Sequence, residues 1–411
     1  MQILHRYIII FITLTGIHSG FTQQWQHMSP MQTARKGMAA VVLDEKIWVI
    51  GGAIMEHHAL KSVDMYDPAT DTWSSSVPDL KYARENCTAR VWDGKIYVFG
   101  GRFGHQTISA VEMYDPASAT WQIVSQMPTP RYGAASVVAD SAIWLIGGSS
   151  GHDNSPSDLV EKYYPAENRW EQLPARLTIA RSDPMAAALD GEIFVFGGYF
   201  YGPLGNYEKY DPATNAWQAV GNLLYSAASS GCVAYKNQVW IIGGMGQSGA
   251  MKNVQIFQLG DGSYEWTEGP TLDEPRRETA AAVVNNKLYV IGGRGTKNWQ
   301  TLNSIAVFDI TTDVKSLPSA QPSEFVLLQN YPNPFTTRTT FLLRLPARDN
   351  IELTVYDILG RKIEKVFQGA LPAGEFQFHF SPAVSRLPSG LYFVRLRGEK
   401  FNSVQKIHLL K

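Results

Sequence analysis

The sequence predicts an all-β protein: a six-bladed β-propeller closed by its N-terminal strand, followed by a small antiparallel β-sandwich of the immunoglobulin-like type. Three observations predict this fold. A segment of 46 to 50 residues recurs six times, the start of the chain holds a Trp that the last repeat lacks, and the strand pattern changes beyond residue 325. At 411 residues the chain is also longer than one ordinary core spans.

Each repeat contains a short apolar strand that ends in two glycines. Because these strands do not alternate polar with apolar residues, we expect both of their faces to be buried. The glycine pair suits a turn with positive φ beside a neighbouring sheet. The six strands are Ile47 to Gly52, Ile96 to Gly101, Ile143 to Gly148, Ile193 to Gly198, Val239 to Gly244 and Leu288 to Gly293.

Other residues recur at the same interval. Four repeats have an acidic residue two positions before a Tyr, then a turn-forming Pro, then a Trp five residues further on. The acids are Asp64, Glu112, Glu161 and Glu208, and the tryptophans are Trp73, Trp121, Trp170 and Trp217. This order of glycine pair, Tyr and Trp over residues 23–316 resembles the Kelch repeat. The resemblance implies four short antiparallel strands in every blade.

The N-terminal segment is predicted to close the ring. The sixth repeat has Lys315 where a Trp is expected, whereas Trp25 precedes Gly51 by the interval that separates Trp and glycine elsewhere. We therefore expect the segment from about Trp25 to supply the outer strand of the last blade. Closure of this kind removes exposed strand edges.

The chain beyond the propeller has a different pattern. Residues 317–325 form a polar linker, and alternating strands joined by Gly and Pro turns follow in residues 326–411. The ordered motifs 328–335, 356–361 and 387–392, with a chain ending in Lys411, resemble the type IX (Por) secretion sorting domain. The resemblance implies a partner, the type IX secretion machinery. An ordinary sandwich with a carbohydrate-binding or adhesion role is the alternative.

Residues 1–22 are typical of a secretory signal peptide, with a short apolar run at 8–17. We expect the mature chain to be secreted or on the outer-membrane cell surface, monomeric, and without a transmembrane segment. A net charge of −1 argues against nucleic acid as a partner. Cys87 and Cys232 fall in opposite blades, so we expect two free thiols rather than a disulfide.

Candidate ligand-binding residues come from the loops on one face of the ring. An Arg stands 16 residues before the first glycine in five repeats, and such a set suits a carboxylate or acidic sugar. Aromatic and polar residues in the loops suit a sugar or peptide. The candidates are Arg84, Arg131, Arg181, Arg276, His105, His152, Tyr199, Tyr201, Arg294 and Trp299. The alternative is that each Arg pairs with an acid of the repeat. The fifth repeat has Ala227 instead, which we expect to open one side of the channel mouth.

No nucleophile, phosphate-binding or metal-binding motif occurs, and no cofactor is expected. The sequence favours a non-catalytic binding propeller for a glycan, peptide or protein. The alternative is a carbohydrate-active enzyme, because the chain also resembles exported Kelch sialic-acid epimerases (mutarotases). That resemblance implies an acid/base pair and an Arg clamp, with Arg131, Arg181 or Arg276 beside Glu85 or Glu278. A structural spacer is the third possibility.

Overall fold

The structure is a computed structural model that describes residues 24–150, 155–260, 264–296, 300–310, 326–327, 335, 339–345, 348–371, 374–380, 387–399 and 401–410. The chain divides into two compact units, Met1–Thr312 and Asp313–Lys411. Both units are all-β over these residues, which confirms the predicted fold class. Among these residues no helix is long and apolar enough to cross a membrane.

The first unit is a ring of six four-stranded antiparallel sheets, the blades. Strand β1 (Gln26–Met28) precedes them. Blade 1 consists of β2 (Ala39–Leu43), β3 (Lys46–Ile50), β4 (Val63–Asp67) and β5 (Thr72–Ser74). Blade 2 consists of β6 (Thr88–Trp92), β7 (Lys95–Phe99), β10 (Ala110–Asp115) and β11 (Thr120–Gln126), with a hairpin of β8 (Arg102–Phe103) and β9 (Gln106–Thr107) between its inner and outer strands.

Blade 3 consists of β12 (Ala135–Ala139), β13 (Ala142–Ile146), β16 (Val160–Tyr164) and β17 (Arg169–Gln172), with the hairpin β14 (Ser149–Ser150) and β15 (Ser155–Pro156). Blade 4 consists of β18 (Met185–Leu189), β19 (Glu192–Phe196), β20 (Asn206–Asp211) and β21 (Ala216–Asn222). Blade 5 consists of β22 (Gly231–Tyr235), β23 (Gln238–Ile242), β26 (Val254–Leu259) and β27 (Tyr264–Glu268), with the hairpin β24 (Met245–Gly246) and β25 (Gly249–Ala250). Blade 6 consists of β28 (Ala280–Val284), β29 (Lys287–Ile291), β30 (Ile305–Asp309) and β1.

The N-terminal strand closes the ring as the sequence predicts. Strand β1 pairs antiparallel with β30, with His27 opposite Ala306. Trp25, just before β1, is buried, and its ring centroid lies 5.4 Å from that of Phe308. Its indole Nε1 donates a hydrogen bond to the carbonyl of Pro270 at 3.0 Å. The first and last segments of the propeller are therefore joined by backbone and side-chain contacts.

The glycine pairs stand where neighbouring blades approach most closely. Gly51 and Gly52 have φ values of 61° and 89°. A Cβ atom on Gly51 would lie 2.6 Å from the carbonyl oxygen of Arg84, which belongs to the next repeat. Any side chain here would therefore clash with backbone and force a strained conformation.

The second unit is a β-sandwich of two sheets. One contains β31 (Val326–Leu327), β32 (Thr339–Leu345) and β35 (Gly374–Phe380), and the other contains β33 (Asp349–Tyr356), β34 (Lys362–Leu371), β36 (Gly390–Arg397) and β37 (Asn402–Leu409). Phe341, Leu343, Leu353, Val394 and Leu396 are buried in its core. The predicted signal peptide (1–22) and linker (317–325) lie outside the described residues and stay predictions. The predicted bounds of the propeller (23–316) and of the sorting domain (326–411) also stay predictions.

Candidate functional site

The repeated arginines lie inside the blades, not on the surface. Arg84, Arg131, Arg181 and Arg276 are at most 1% exposed. The Nη2 atom of Arg84 lies 2.6 Å from the Glu112 carboxylate, and Nη1 of Arg131 lies 2.6 Å from that of Glu161. Arg181 pairs with Glu208, and Arg35 with Asp64 in the same way. Arg276 differs, since its Nη2 lies 2.8 Å from Glu274, two residues before it, and donates to the Ser304 hydroxyl. This corrects the expectation that these guanidiniums bind a ligand: all of them are buried and paired inside the blades.

Burial and pairing act on these guanidiniums in opposite directions. Burial lowers the pKa of Arg131, whereas the charge of Glu161 and the hydrogen bond to it raise that pKa. Arg84 also donates from Nη1 to the carbonyls of Gly100 and Ala110. The Glu112 carboxylate in turn accepts from the backbone N–H of Lys81 at 2.6 Å. The pair therefore ties the incoming loop of a blade to two of its strands.

The fifth repeat replaces both members of this pair. Ala227 stands in place of the Arg and is fully buried, so it does not open the channel mouth as expected. Gln255 stands in place of the acid. Its Oε1 accepts from the backbone N–H of Tyr225 at 2.8 Å, and its Nε2 donates to the Tyr225 carbonyl at 2.9 Å. A neutral amide thus holds the same loop without a charge.

A closed cycle of backbone hydrogen bonds surrounds the entrance of the central channel. Each blade contributes one residue, and its N–H donates to the carbonyl of the equivalent residue one blade back, at 2.6 to 3.0 Å. All six have positive φ, from 49° to 59°. The six residues are Gly37, Asn86, Gly133, Asp183, Ser229 and Glu278. The cycle fixes the relative positions of the six loops that enter the blades.

The residue before each member of this cycle forms a bridge with the residue after the glycine pair. The twelve bridging residues define the rim of the channel entrance, which we call the mouth. They are Lys36 with Ala53, Glu85 with Arg102, Tyr132 with Ser149, Ser182 with Tyr199, Ala228 with Met245, and Arg277 with Arg294. The side chains here differ from blade to blade while the backbone repeats, as a binding surface requires.

Charged side chains are concentrated on one half of the mouth, on blades 6, 1 and 2. Lys36 is buried, with its Nζ 2.7 Å from Glu278 and 3.2 Å from Glu85. Burial lowers the pKa of Lys36, but the charges of Glu278 and Glu85 outweigh it, so the net shift is upward. Lys36 therefore stays charged and holds two carboxylates in place.

Three arginines lie on the solvent side of these carboxylates. Arg102 Nε lies 3.1 Å from Glu85, Arg294 Nη1 lies 2.6 Å from Glu56, and Arg277 Nε lies 3.5 Å from Glu278. Their side chains are 19%, 17% and 16% exposed. With Lys36, these four cations meet Glu56, Glu85 and Glu278, and Asp183 adds a fourth carboxylate above its pKa of about 6, so the charges balance near neutral pH. The guanidiniums are held in position yet present donors to solvent.

The other half of the mouth, on blades 3 to 5, is aromatic and neutral. Tyr132 is largely buried, and the Arg102 guanidinium carbon lies 4.6 Å from its ring centroid. Tyr199 is half-buried and bridges both Ser182 and Pro203. The mouth therefore places aromatic faces opposite paired charges.

Asp183 is the acidic residue of the backbone cycle. Burial, with the charge of Glu278, raises the pKa of its carboxyl to about 6, although Arg102 and Lys36 act in the opposite direction. An acid with a raised pKa beside an entrance is a feature of functional sites as well as of structural clusters.

We expect Asp183→Asn to stabilise the protein at pH 7.5 and not at pH 4. The folded carboxyl keeps its proton to about pH 6, against about 3.9 when unfolded, so stability falls as pH rises from about 4 to about 6. The substitution removes this loss and should raise Tm by a few degrees at pH 7.5. Asn tolerates the φ of 49°. Asp93→Asn, an exposed residue with φ 48°, is the control. If Asp183→Asn raised Tm equally at both pH values, the raised pKa of the Asp183 carboxyl would be contradicted.

Four of the remaining candidates are among the described residues. Arg294 and Tyr199 belong to it, and Tyr201 projects from the next loop with 92% exposure. His105 is exposed in the blade 2 hairpin, and its ring centroid lies 4.9 Å from that of His57. His152 and Trp299 lie outside the described residues. Within the described part of the chain, no three His, Cys, Asp or Glu side chains are placed to hold a metal ion.

The cavities show where a ligand has room. The channel entrance below the mouth encloses about 110 Å³, less than the 300 Å³ or more typical of ligand pockets. A larger groove of about 390 Å³ lies along blade 2 and is lined by Tyr82, Phe103 and Gln126 among others. Tyr82 and Phe103 are about half exposed. A ligand therefore has more room in this groove than inside the channel entrance.

Most of the residues at the mouth were not predicted from the sequence. Lys36, Tyr132, Asp183 and Arg277 were not among the candidates. The signal that identifies Lys36, Tyr132 and Arg277 is the position after each repeated Arg, which varies in type while its neighbours recur, and Asp183 lies one position further along its repeat. The arginines were predicted as ligand-binding because they recur, whereas the variable residue beside each of them lies on the mouth.

Family comparisons agree with this architecture. The family model of the KLHDC2/KLHL20/DRC7 Kelch-repeats domain matches residues 16–198. The model of the Kelch motif matches residues 180–224 and 275–314. The secretion system C-terminal sorting domain matches residues 329–409.

Individual relatives cover the propeller. Kelch-like protein 23 of Homo sapiens is 31% identical over 227 residues, which are 54% of this chain and 39% of that protein. Kelch repeat and BTB domain-containing protein 1 of cowpox virus is 26% identical over 312 residues, 75% of this chain and 45% of that protein. The chain spans less than half the length of these relatives. The solved structure titled "Structure of YjhT" superposes with a TM-score of 0.58 at 14% identity, covering 68% of this chain and 96% of that one, a likeness of fold.

Proposed function

Since this chain is a Kelch-repeat protein that ends in a secretion system C-terminal sorting domain, we propose that it is an exported binding module that recognises a glycan at the propeller mouth. The sorting domain indicates export by the type IX system, to the cell surface or into the medium. The second unit then serves export, and ligand recognition belongs to the first.

The observation that supports a glycan is that partly exposed arginines, paired with carboxylates, lie across the mouth from tyrosines. Arg102, Arg277 and Arg294 are each partly exposed at the mouth, and Glu56 is about half exposed and offers an acceptor. Sugar hydroxyls need donors and acceptors together, and sugar faces pack on aromatic rings. The partly exposed guanidiniums favour an acidic sugar among glycans, since a carboxylate accepts strong hydrogen bonds from them.

The blade 2 groove extends this site. Phe103, which lines the groove, follows Arg102 directly in β8, so the groove and the charged half of the mouth share this hairpin. Gln106 and Gln126 line the same groove and supply amide groups. An oligosaccharide that contacts Arg102 with one residue would have room to place the next against Tyr82 and Phe103.

We expect Arg102→Ala and Arg277→Ala each to weaken the binding of an acidic oligosaccharide by about 10- to 100-fold, as for a lost hydrogen bond to a charged group. Lys36 still pairs with Glu85 and Glu278 in these variants, so the fold should survive. The measurement is calorimetric titration of the full chain, after a thermal-shift screen with neutral and acidic glycans. Arg169→Ala, an exposed and paired arginine on blade 3, is the control.

The outcomes separate the proposals. If Arg169→Ala weakened the binding as much as Arg102→Ala and Arg277→Ala do, the mouth would not be the binding site. No thermal shift with any glycan would overturn the glycan proposal and favour a peptide or protein partner, or a spacer.

The alternative function, an epimerase of acidic sugars, is supported by Asp183 with its raised pKa beside the mouth. Arg131, Arg181 and Arg276 are unable to form the required clamp because they are buried, so Arg102 and Arg277 would take that role. Exchange of anomers followed by NMR tests this directly. Catalysed exchange that Asp183→Asn abolishes would support the enzyme, and exchange at the uncatalysed rate would exclude it for that sugar.

A further inference from the structure

One arginine departs from the repeat inside the central channel. Arg90 lies on the innermost strand of blade 2, opposite Tyr97. In each of the other five blades, the equivalent residue is Val or Ala and pairs with an aromatic residue of the second strand. These five are Val41, Val137, Ala187, Val233 and Ala282. A charge at one position of six is not required by the fold.

The described residues give Arg90 carbonyl partners only. Its Nη1 donates to the carbonyl of Ala89 at 2.9 Å, and its Nη2 donates to the carbonyl of Ser136 in blade 3. Over the described ranges, no carboxylate forms an ion pair with it, in contrast to the repeated arginines. A guanidinium has five N–H donors, so further donors remain for another acceptor.

The channel around Arg90 is polar and has room for an ion. A cavity of about 150 Å³ is lined by Arg90 with Thr88, Ser136, Cys87 and Cys232 among others. The hydroxyls of Thr88 and Ser136 are 2.6 Å apart, so one donates to the other and the second proton is free to point elsewhere. This volume exceeds by several-fold what one water molecule needs.

Neither channel thiol supplies a counter-charge. Both cysteines are free, and burial raises the pKa of Cys87 to about 11 and that of Cys232 to about 12. Both are therefore neutral thiols at physiological pH. Burial also lowers the pKa of Arg90, but an arginine stays protonated even so. A charge enclosed in this way is costly unless it is compensated.

We propose that the central channel binds a small monovalent anion, of the size of a halide, on the Arg90 guanidinium and the hydroxyl pair of Thr88 and Ser136. The anion compensates the enclosed charge and links blades 2 and 3 at the axis. It enters from the end of the channel away from the mouth, where a cavity of about 320 Å³ is also lined by Arg90.

The test is thermal unfolding of the full chain in a titration with chloride, at constant ionic strength maintained with gluconate, a much larger anion than a halide. We expect a saturable rise in Tm, reaching about 5 °C at a hundredfold excess over the dissociation constant. The Arg90→Val variant should lose the chloride dependence. It is expected to fold because Val occupies the equivalent position in blades 1, 3 and 5.

Arg169→Ala should keep the full chloride effect, since this arginine lies on an outer strand. If Arg90→Val fails to fold, Arg90→Gln serves as the second variant. Crystals soaked in bromide give the direct readout, an anomalous peak within hydrogen-bonding distance of the Arg90 guanidinium. An equal chloride effect in the parent and the Arg90 variant, or no effect in either with no bromide peak, would overturn the proposal.

Discussion

Deletion of residues 23–32 from the full chain should unfold the propeller at temperatures where the parent is fully folded. The deletion removes β1, the outer strand of blade 6, and with it the buried Trp25 and Met31. Loss of a buried Trp costs about 3–5 kcal/mol and of a buried Met about 2–5 kcal/mol. Together they approach the whole stability of a typical domain, about 5–15 kcal/mol. Circular dichroism during thermal unfolding measures the effect.

Point variants make this prediction specific. Trp25→Ala should lower the stability by about 3–5 kcal/mol, because it removes the contact with Phe308 and the hydrogen bond to Pro270. Gln26→Ala, at an exposed position of the same strand, is the control and should change little. An unchanged Tm after the deletion would show that the ring does not depend on β1.

Breaking one buried ion pair should have the second largest effect. Arg84 and Glu112 are both fully buried, so Arg84→Ala leaves an enclosed carboxylate and Glu112→Gln leaves an enclosed guanidinium. Each single substitution should cost about 3–5 kcal/mol. The double variant reproduces Ala227 with Gln255, the neutral pair that blade 5 already uses. It should cost clearly less than the sum of the two single variants.

Chemical denaturation of the four proteins completes the double-mutant cycle. The Gln at 112 should still accept from the backbone N–H of the incoming loop, as Gln255 does from Tyr225. A double variant as unstable as the sum of the single variants would mean that charge compensation is not what the pair provides. It would also mean that blade 5 relies on other contacts.

Much of the fold was predictable because its signals are local. The apolar strand, the glycine pair and the Trp repeat along the chain, and each reflects the geometry of one blade. The absence of a Trp near Lys315 and its presence at Trp25 were enough to predict the closing strand. The free thiols were predictable for the same reason, since the repeat number places the two cysteines in opposite blades.

The site was predicted less well, and the arginines show why. Arg84 and Arg277 both stand beside a glycine-paired strand, yet one is fully buried and the other lies on the rim. A difference of one position in the repeat reverses the side of the backbone on which the side chain lies. The alternative that each Arg pairs with an acid was available from the spacing, but the spacing did not exclude a ligand-facing ring.

By itself the sequence determined the number of blades, the closing strand and the sorting domain, since these depend on intervals within the chain. Only the tertiary structure decided which side chains meet at the mouth. Lys36 contacts Glu278 although 242 residues separate them, because ring closure brings the first and sixth blades together. Contacts between distant repeats depend on the summed rotation of all the blades and on burial at the axis, and no interval in the sequence encodes either quantity.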